Sequence, residues 1–67
     1  MKDVPEWVRF GDVKLHVGQV VEVRGHVAAF EVKPAFFGLS LQGRISGGIE
    51  VVDCSRLALD TPVRVLR

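Results

Sequence analysis

Cationic and aromatic side chains in the middle of the chain have the chemistry needed to hold single-stranded nucleic acid. Lysine and arginine neutralise phosphates, and aromatic rings stack on unpaired bases, which contributes ~1–3 kcal/mol per base. The sequence has no acidic residue between Glu31 and Glu50, whereas two cations fall inside that interval. The residues that we expect to form this surface are Arg24, His26, Lys33, Phe36 and Arg44. We expect it to bind with low sequence specificity, because charge and stacking do not read base edges.

Two aromatic residues also support a different function, that of a protein-interaction or assembly module. Aromatic side chains are enriched at protein interfaces, so Trp7 and Phe36 are the alternative interface residues. A second copy of the chain or a protein partner would then cover them. For both residues the pattern favours a purely structural role, in which Trp7 fills one end of the fold and Phe36 packs beneath the N-terminal segment.

No motif in the sequence indicates catalysis, a cofactor or a metal ion. The two histidines, His16 and His26, stand apart from any cluster of cysteines or acids at metal-ligand spacing. Cys54 is the single cysteine and has neither a glycine-flanked turn nor an orienting acid at a recognisable catalytic spacing, so we interpret it as a small buried apolar residue. We therefore expect a protein that is not an enzyme and that holds no cofactor and no metal.

The composition predicts one small domain over residues 1–67. The chain is 48% hydrophobic, with a mean hydropathy of +0.26, which is enough to fill a small core and leave apolar surface over. Nine basic against eight acidic residues, with a pI near 8.0, exclude the strongly basic class of nucleic-acid proteins. The lone cysteine predicts a reducing compartment, the cytoplasm. We find no secretory signal near the N-terminus and no apolar run of membrane-spanning length.

The segment that would position the candidate surface covers residues 20–33. Apolar residues occupy odd positions in its first half, as at Val21 and Val23, and even positions in its second half, as at Phe30 and Val32. Strand side chains alternate between two faces, so one continuous strand needs an extra residue to change parity. We therefore predict a long strand with a β-bulge near Gly25 or at residues 28–29.

Shorter strands and turns complete the predicted fold. Alternation predicts strands at residues 13–17, 36–42, 49–54 and 63–65, and it places Phe36 on the polar face with Ser40 and Gln42. Ser55 is positioned to cap a helical turn over residues 55–59. The prediction is an all-β fold: a small five- or six-stranded barrel with at most one short helical turn.

Two stretches resemble known families of small barrels. The stretch GQVVEVRGHVAAF is similar to the long, curved first strand of OB-fold barrels. The stretch GGIEVVDCSRLALDTPVRVLR resembles the last two strands of the small soluble barrel of the NfeD family. These resemblances imply an OB-like barrel. An SH3-like barrel is the alternative, and it would suit a helical turn just before the last strand.

Overall fold

Six antiparallel strands form a single sheet in the computed structural model, which describes residues 5–67. The strands are β1 (Val8–Arg9), β2 (Val20–Val23), β3 (Ala29–Pro34), β4 (Leu39–Ile45), β5 (Gly48–Asp53) and β6 (Pro62–Val65). Their order across the sheet is β1-β6-β2-β3-β4-β5. The all-β class is confirmed. Within residues 5–67 the two end strands, β1 and β5, do not pair, so closure into a barrel stays a prediction.

The predicted long strand is wrong, because residues 20–33 form the β2–β3 hairpin. Val21 lies opposite Phe30 in this hairpin. Directly opposed residues point to the same side of a sheet, so odd positions in β2 share a face with even positions in β3. The chain reverses at Gly25, whose φ of +92° favours glycine, and the His26 N–H donates to the Val23 carbonyl at 3.1 Å. A turn therefore produces the parity change that we attributed to a bulge.

Two 3₁₀ turns are present among the described residues, one more than predicted. The first covers Phe10–Asp12, and the second covers Cys54–Arg56, which begins one residue before the predicted start and ends three residues before the predicted end. Asp53, rather than Ser55, caps the second turn, because its carboxylate accepts hydrogen bonds from the Ser55 N–H and hydroxyl, each at 2.9 Å. No helix in residues 5–67 is long and apolar enough to cross a membrane.

The core lies on one side of the sheet, which we call the inward face. Its fully buried side chains come from β2, β3, β4 and β6, and Leu15 joins them from the loop before β2. Leu15 belongs to residues 13–17, which we predicted as a strand but which lie outside the sheet. Burying each large aliphatic or aromatic side chain contributes ~1.5–3 kcal/mol. The buried strand residues are Val21, Val23, Phe30, Val32, Leu41 and Val63.

Candidate nucleic-acid interface

The side of the sheet opposite the core, which we call the outward face, carries most of the candidate residues. Strand pairing defines it: Glu22 on β2 lies opposite both Ala29 on β3 and Arg64 on β6. On β4, Gly43 lies opposite the inward Phe30, so its neighbour Arg44 points outward. A single outward row therefore crosses the sheet from β6 to β4, and the pairing of β4 with β5 extends it to the edge.

Lys33 and Arg44 line one open groove on the outward face. The groove has a volume of about 200 Å³, and its other walls are Glu31, Gln42, Gly43 and Ile49. The Lys33 ammonium lies 3.6 Å from the Glu31 carboxylate, which offsets part of its charge. No carboxylate in residues 5–67 forms an ion pair with Arg44, so its guanidinium is free to meet an anion. Two of the five predicted residues are thus brought together.

Arg24 lies in the β2–β3 turn and belongs to a second cluster, built around Trp7. The Arg24 guanidinium carbon is 5.3 Å from the centre of the Trp7 ring, and that of Arg64 is 4.4 Å from it, both within cation–π range. Arg64 also donates from Nε to the Glu22 carboxylate at 2.8 Å. Trp7 packs on arginines and is not part of the core, so the prediction that it fills the end of the fold is wrong.

Sequence reasoning missed Arg64 as a functional residue, although the signal was present. Val63 and Val65 face the core from β6, so the residue between them must point outward. The position of Trp7 could not be predicted from local alternation, because it depends on the pairing of β1 with β6 at Val8 and Val63. That pairing joins residues far apart in the sequence.

His26 lies apart from the other candidate residues, on the inward side of the sheet. Its Nδ1 is 2.9 Å from a carboxylate oxygen of Glu50, which lies opposite Gly43 on the inward face. The imidazole also meets the Phe30 ring edge to face, at 5.4 Å between centres and 73° between planes. His26 therefore packs at the edge of the core, against Phe30 and Glu50. The sequence placed His26 outward only because residues 20–33 were interpreted as one strand.

Phe36 lies in the turn between β3 and β4, not on a strand. The Ala35 N–H donates to the Gly38 carbonyl at 3.1 Å, and β4 begins only at Leu39. Phe36 is 93% exposed and Phe37 is 81% exposed, and their rings touch edge to face at 4.7 Å. Phe36 therefore shares no strand face with the buried Ser40 or with Gln42, contrary to the alternation that we expected. The rings of Phe36 and Phe37, which we call the aromatic tip, lie at the turn of the β3–β4 hairpin.

The remaining reactive group, Cys54, is held in its less nucleophilic form. Burial raises the pKa of the Cys54 thiol, and the negative charge of Asp53 raises it further. Asp53 itself has a lowered pKa, chiefly because it accepts the Ser55 backbone N–H and then the Ser55 hydroxyl. In the part of the chain that the structure describes, no three His, Cys, Asp or Glu side chains are grouped to hold a metal ion.

Comparison with known proteins gave no match to a family model, to a curated protein or to a solved structure. The OB-fold and NfeD resemblances therefore stay predictions. Any functional assignment has to come from the chemistry of the outward face and of the aromatic tip.

Proposed function

We propose that this chain is a non-enzymatic binding module whose outward face holds single-stranded nucleic acid with low sequence specificity. The observation that carries the proposal is the open groove shared by Lys33 and Arg44. The same face also carries Arg24 and the partly exposed ring of Trp7. His26, in contact with Glu50 on the other side of the sheet, is not part of the proposed site.

In this mechanism, three cations bind phosphates and two aromatic residues receive bases. Arg24, Lys33 and Arg44 are the phosphate-binding residues, because Arg64 already donates a 2.8 Å hydrogen bond to Glu22, whereas the ion pair of Lys33 with Glu31 is longer, at 3.6 Å. Trp7 stays 36% exposed although Arg24 and Arg64 lie over its ring, and Phe36 is 93% exposed in the turn that follows β3, so each ring keeps surface on which a base can stack. Glu22 and Glu31 lie among the cations and weaken the attraction, which favours low affinity.

The number of phosphate contacts sets the salt dependence of binding. For a single strand, the logarithm of the association constant falls with the logarithm of the salt concentration with a slope of about −0.7 per contact. Three contacts therefore predict a slope of about −2, which is roughly a fifteenfold loss of affinity between 50 and 200 mM salt. This modest value separates the proposal from a strongly basic nucleic-acid protein.

Fluorescence anisotropy of a labelled single-stranded oligonucleotide, titrated at several salt concentrations, tests the proposal. The variant Lys33→Ala with Arg44→Ala removes both cations of the groove, and we expect its slope to fall to about −0.7. The matched control Lys14→Ala with Arg56→Ala removes the same two charge types from exposed positions elsewhere and should leave the slope unchanged. Equal slopes for the two double variants would refute the proposed site.

A protein-interaction module is the second candidate, and the aromatic tip is the observation that favours it. Phe36 and Phe37 contact each other and little else, which is unusual for large apolar side chains unless a partner covers them. The variant Phe36→Ser separates the two functions. If the ring stacks on a base, oligonucleotide affinity should fall by about 5- to 150-fold, the equivalent of ~1–3 kcal/mol. Unchanged affinity would assign the tip to a protein contact instead.

We further infer that the sheet is a small barrel of the SH3-like kind. Support comes from the 3₁₀ turn at Cys54–Arg56 shortly before the final strand, and from the pairing of that strand, β6, with β2. The OB-like alternative depended on one long strand over residues 20–33, which are divided between β2 and β3. A cytoplasmic location remains a prediction from the single cysteine.

A further inference from the structure

We propose that a second copy of this chain docks against the free edge of β5, in antiparallel orientation, and that the sheet becomes continuous across a two-fold dimer. The β5 edge borders the cationic groove, since Ile49 and Arg44 line both, but the inference does not depend on nucleic-acid binding. It follows from three features of β5: unpaired backbone groups, exposed apolar side chains and a register that sets no two like charges against each other.

The first feature is a row of backbone groups that point away from the sheet. β5 has one neighbour, β4, and it stands at the end of the strand order. A two-residue turn joins Ile45 to Gly48, and the residues that flank such a turn form two hydrogen bonds with each other. Along β5, every second residue from Gly48 onward is therefore hydrogen-bonded to β4. The residues between them point their N–H and C=O groups away from β4, in the plane of the sheet and into solvent. They are Ile49, Val51 and Asp53.

The second feature is the lack of most of the usual protection of an edge strand. Natural sheets block free edges with lysine and other charged side chains, inward-pointing charges, proline, bulges or very short strands. Of these, β5 has one inward-pointing charge, Glu50, whose carboxylate lies 2.9 Å from Nδ1 of His26. β5 is six residues long and contains no lysine and no proline, whereas β1, at the other edge, is only two residues long. Of the three outward side chains of β5, one is the acidic Asp53 and two are apolar and open to solvent, with Ile49 63% exposed and Val51 59% exposed. A pairing strand would cover both.

The third feature is a register in which no two like charges of the two copies face each other. A two-fold axis at Val51 places Val51 opposite the partner's Val51 and Ile49 opposite the partner's Asp53. An axis at Glu50 would instead set two glutamates against each other, which is destabilising. We therefore infer the register centred on Val51.

This register also offers the groove arginine a partner. Arg44 lies beside Ile49 on the neighbouring strand, so it is two strand spacings, or roughly 9.6 Å, from the partner's Asp53. Extended arginine and aspartate side chains span that distance. The contact occurs twice by symmetry, and Arg44 has no other ion-pair partner in residues 5–67.

Sedimentation velocity across a wide range of protein concentration tests the dimer. We expect the parent to pass from monomer to dimer, and Val51→Lys to raise the dissociation constant on the order of tenfold or more, because two lysines would face each other at the axis. Val17→Lys is the matched control: Val17 is 57% exposed in the turn before β2, and its replacement should leave dimerisation unchanged. Circular dichroism checks that both variants are folded.

Amide hydrogen exchange of the parent gives a second measurement that needs no variant. In the dimer, the N–H groups of Ile49 and Val51 should exchange slowly at high protein concentration and rapidly at low concentration. Those of Glu50 and Val52, which already bond to β4, should be protected at both. A chain that stays monomeric, a dimer that Val51→Lys leaves intact, or a dimer in which the Ile49 and Val51 amides exchange rapidly would each overturn the proposal. So would a head-to-tail assembly in which β5 pairs with β1 of the next copy, because it has no two-fold axis at Val51.

Discussion

Replacing Gly43 with alanine should destabilise the fold by a predictable amount, because the space above Gly43 is already filled. A Cβ at Gly43 would stand 2.9 Å from the Ala29 carbonyl oxygen, 2.9 Å from Cδ1 of Phe30 and 3.0 Å from Cβ of Ala28. The first of these atoms belongs to the backbone of the neighbouring strand, so the strands or the Phe30 ring must shift. Overpacking of this kind costs ~1–3 kcal/mol.

A cost of ~1–3 kcal/mol is a large fraction of the total free energy of unfolding of so small a domain. At ~0.05–0.15 kcal/mol per residue, a domain of this size has a total free energy of unfolding of roughly 3–10 kcal/mol. Alanine also restricts the unfolded chain, which returns about 0.4–1 kcal/mol and partly offsets the clash. Because Phe30 supports the His26 ring, the displacement should also disturb the contact between His26 and Glu50.

Urea denaturation followed by circular dichroism measures the effect, and Gly48→Ala is the matched control. Gly48 lies on β5 with no atom within 4 Å of its would-be Cβ, and its φ is not positive. Both substitutions change the unfolded chain in the same way, so the difference between them isolates the clash. We expect Gly43→Ala to be the less stable variant by ~1–3 kcal/mol, which corresponds to about 4–8 °C in Tm for each kcal/mol. Equal stabilities would refute this account of the packing between β3 and β4.

Three further predictions follow from the exposed and titratable groups. Because the pKa of Asp53 is lowered in the folded chain, its carboxylate stabilises the fold above the ordinary aspartate pKa. This stabilisation is lost as the pH falls through the folded pKa. The urea midpoint of Asp53→Ala should therefore decrease less steeply in acid than that of the parent. Because the pKa of Cys54 is raised, iodoacetamide should alkylate it more slowly at neutral pH in the folded chain than in urea; equal rates would contradict the burial argument. The double variant Phe36→Ser with Phe37→Ser should change the free energy of unfolding by less than ~0.5 kcal/mol, since both rings are exposed; a larger loss in thermal or urea denaturation would show that the tip packs against the fold.

The inward residues of the sheet could be predicted from the sequence because burial follows local alternation. Val21 and Val23 in the first half of residues 20–33, and Phe30 and Val32 in the second, are buried as the pattern indicated. The hairpin between them could not be recognised from the sequence. A bulge in one strand and a turn that pairs odd positions with even positions both move the buried residues from odd to even numbers. The turn at Gly25 also lacks the Asn-Gly or Asp-Gly pair that marks a tight hairpin.

The candidate site was predicted in part, and the successes and errors have one physical origin. Lys33 is on the outward face because β3 alternates as expected around the buried Val32. His26 and Phe36 were misplaced because each lies in a turn, where the period of two no longer applies. The Trp7 cluster depends on strand pairing between the two ends of the chain, which local alternation does not encode.

The two proposals, if both hold, make a joint prediction that neither makes alone. The groove opens on the outward face of β3 and β4, and the β5 edge lies beside it, so a dimer would carry two grooves on one continuous face. In the dimer each Arg44 is paired with the partner's Asp53, so a strand long enough to cross both grooves would meet two copies each of Arg24 and Lys33, about four cations instead of three, and the salt slope would steepen from about −2 to about −3. Oligonucleotide titrations of the parent above and below its dimer dissociation constant decide this. A slope near −2 at both protein concentrations would mean that the two grooves bind independent strands and that dimerisation serves another purpose.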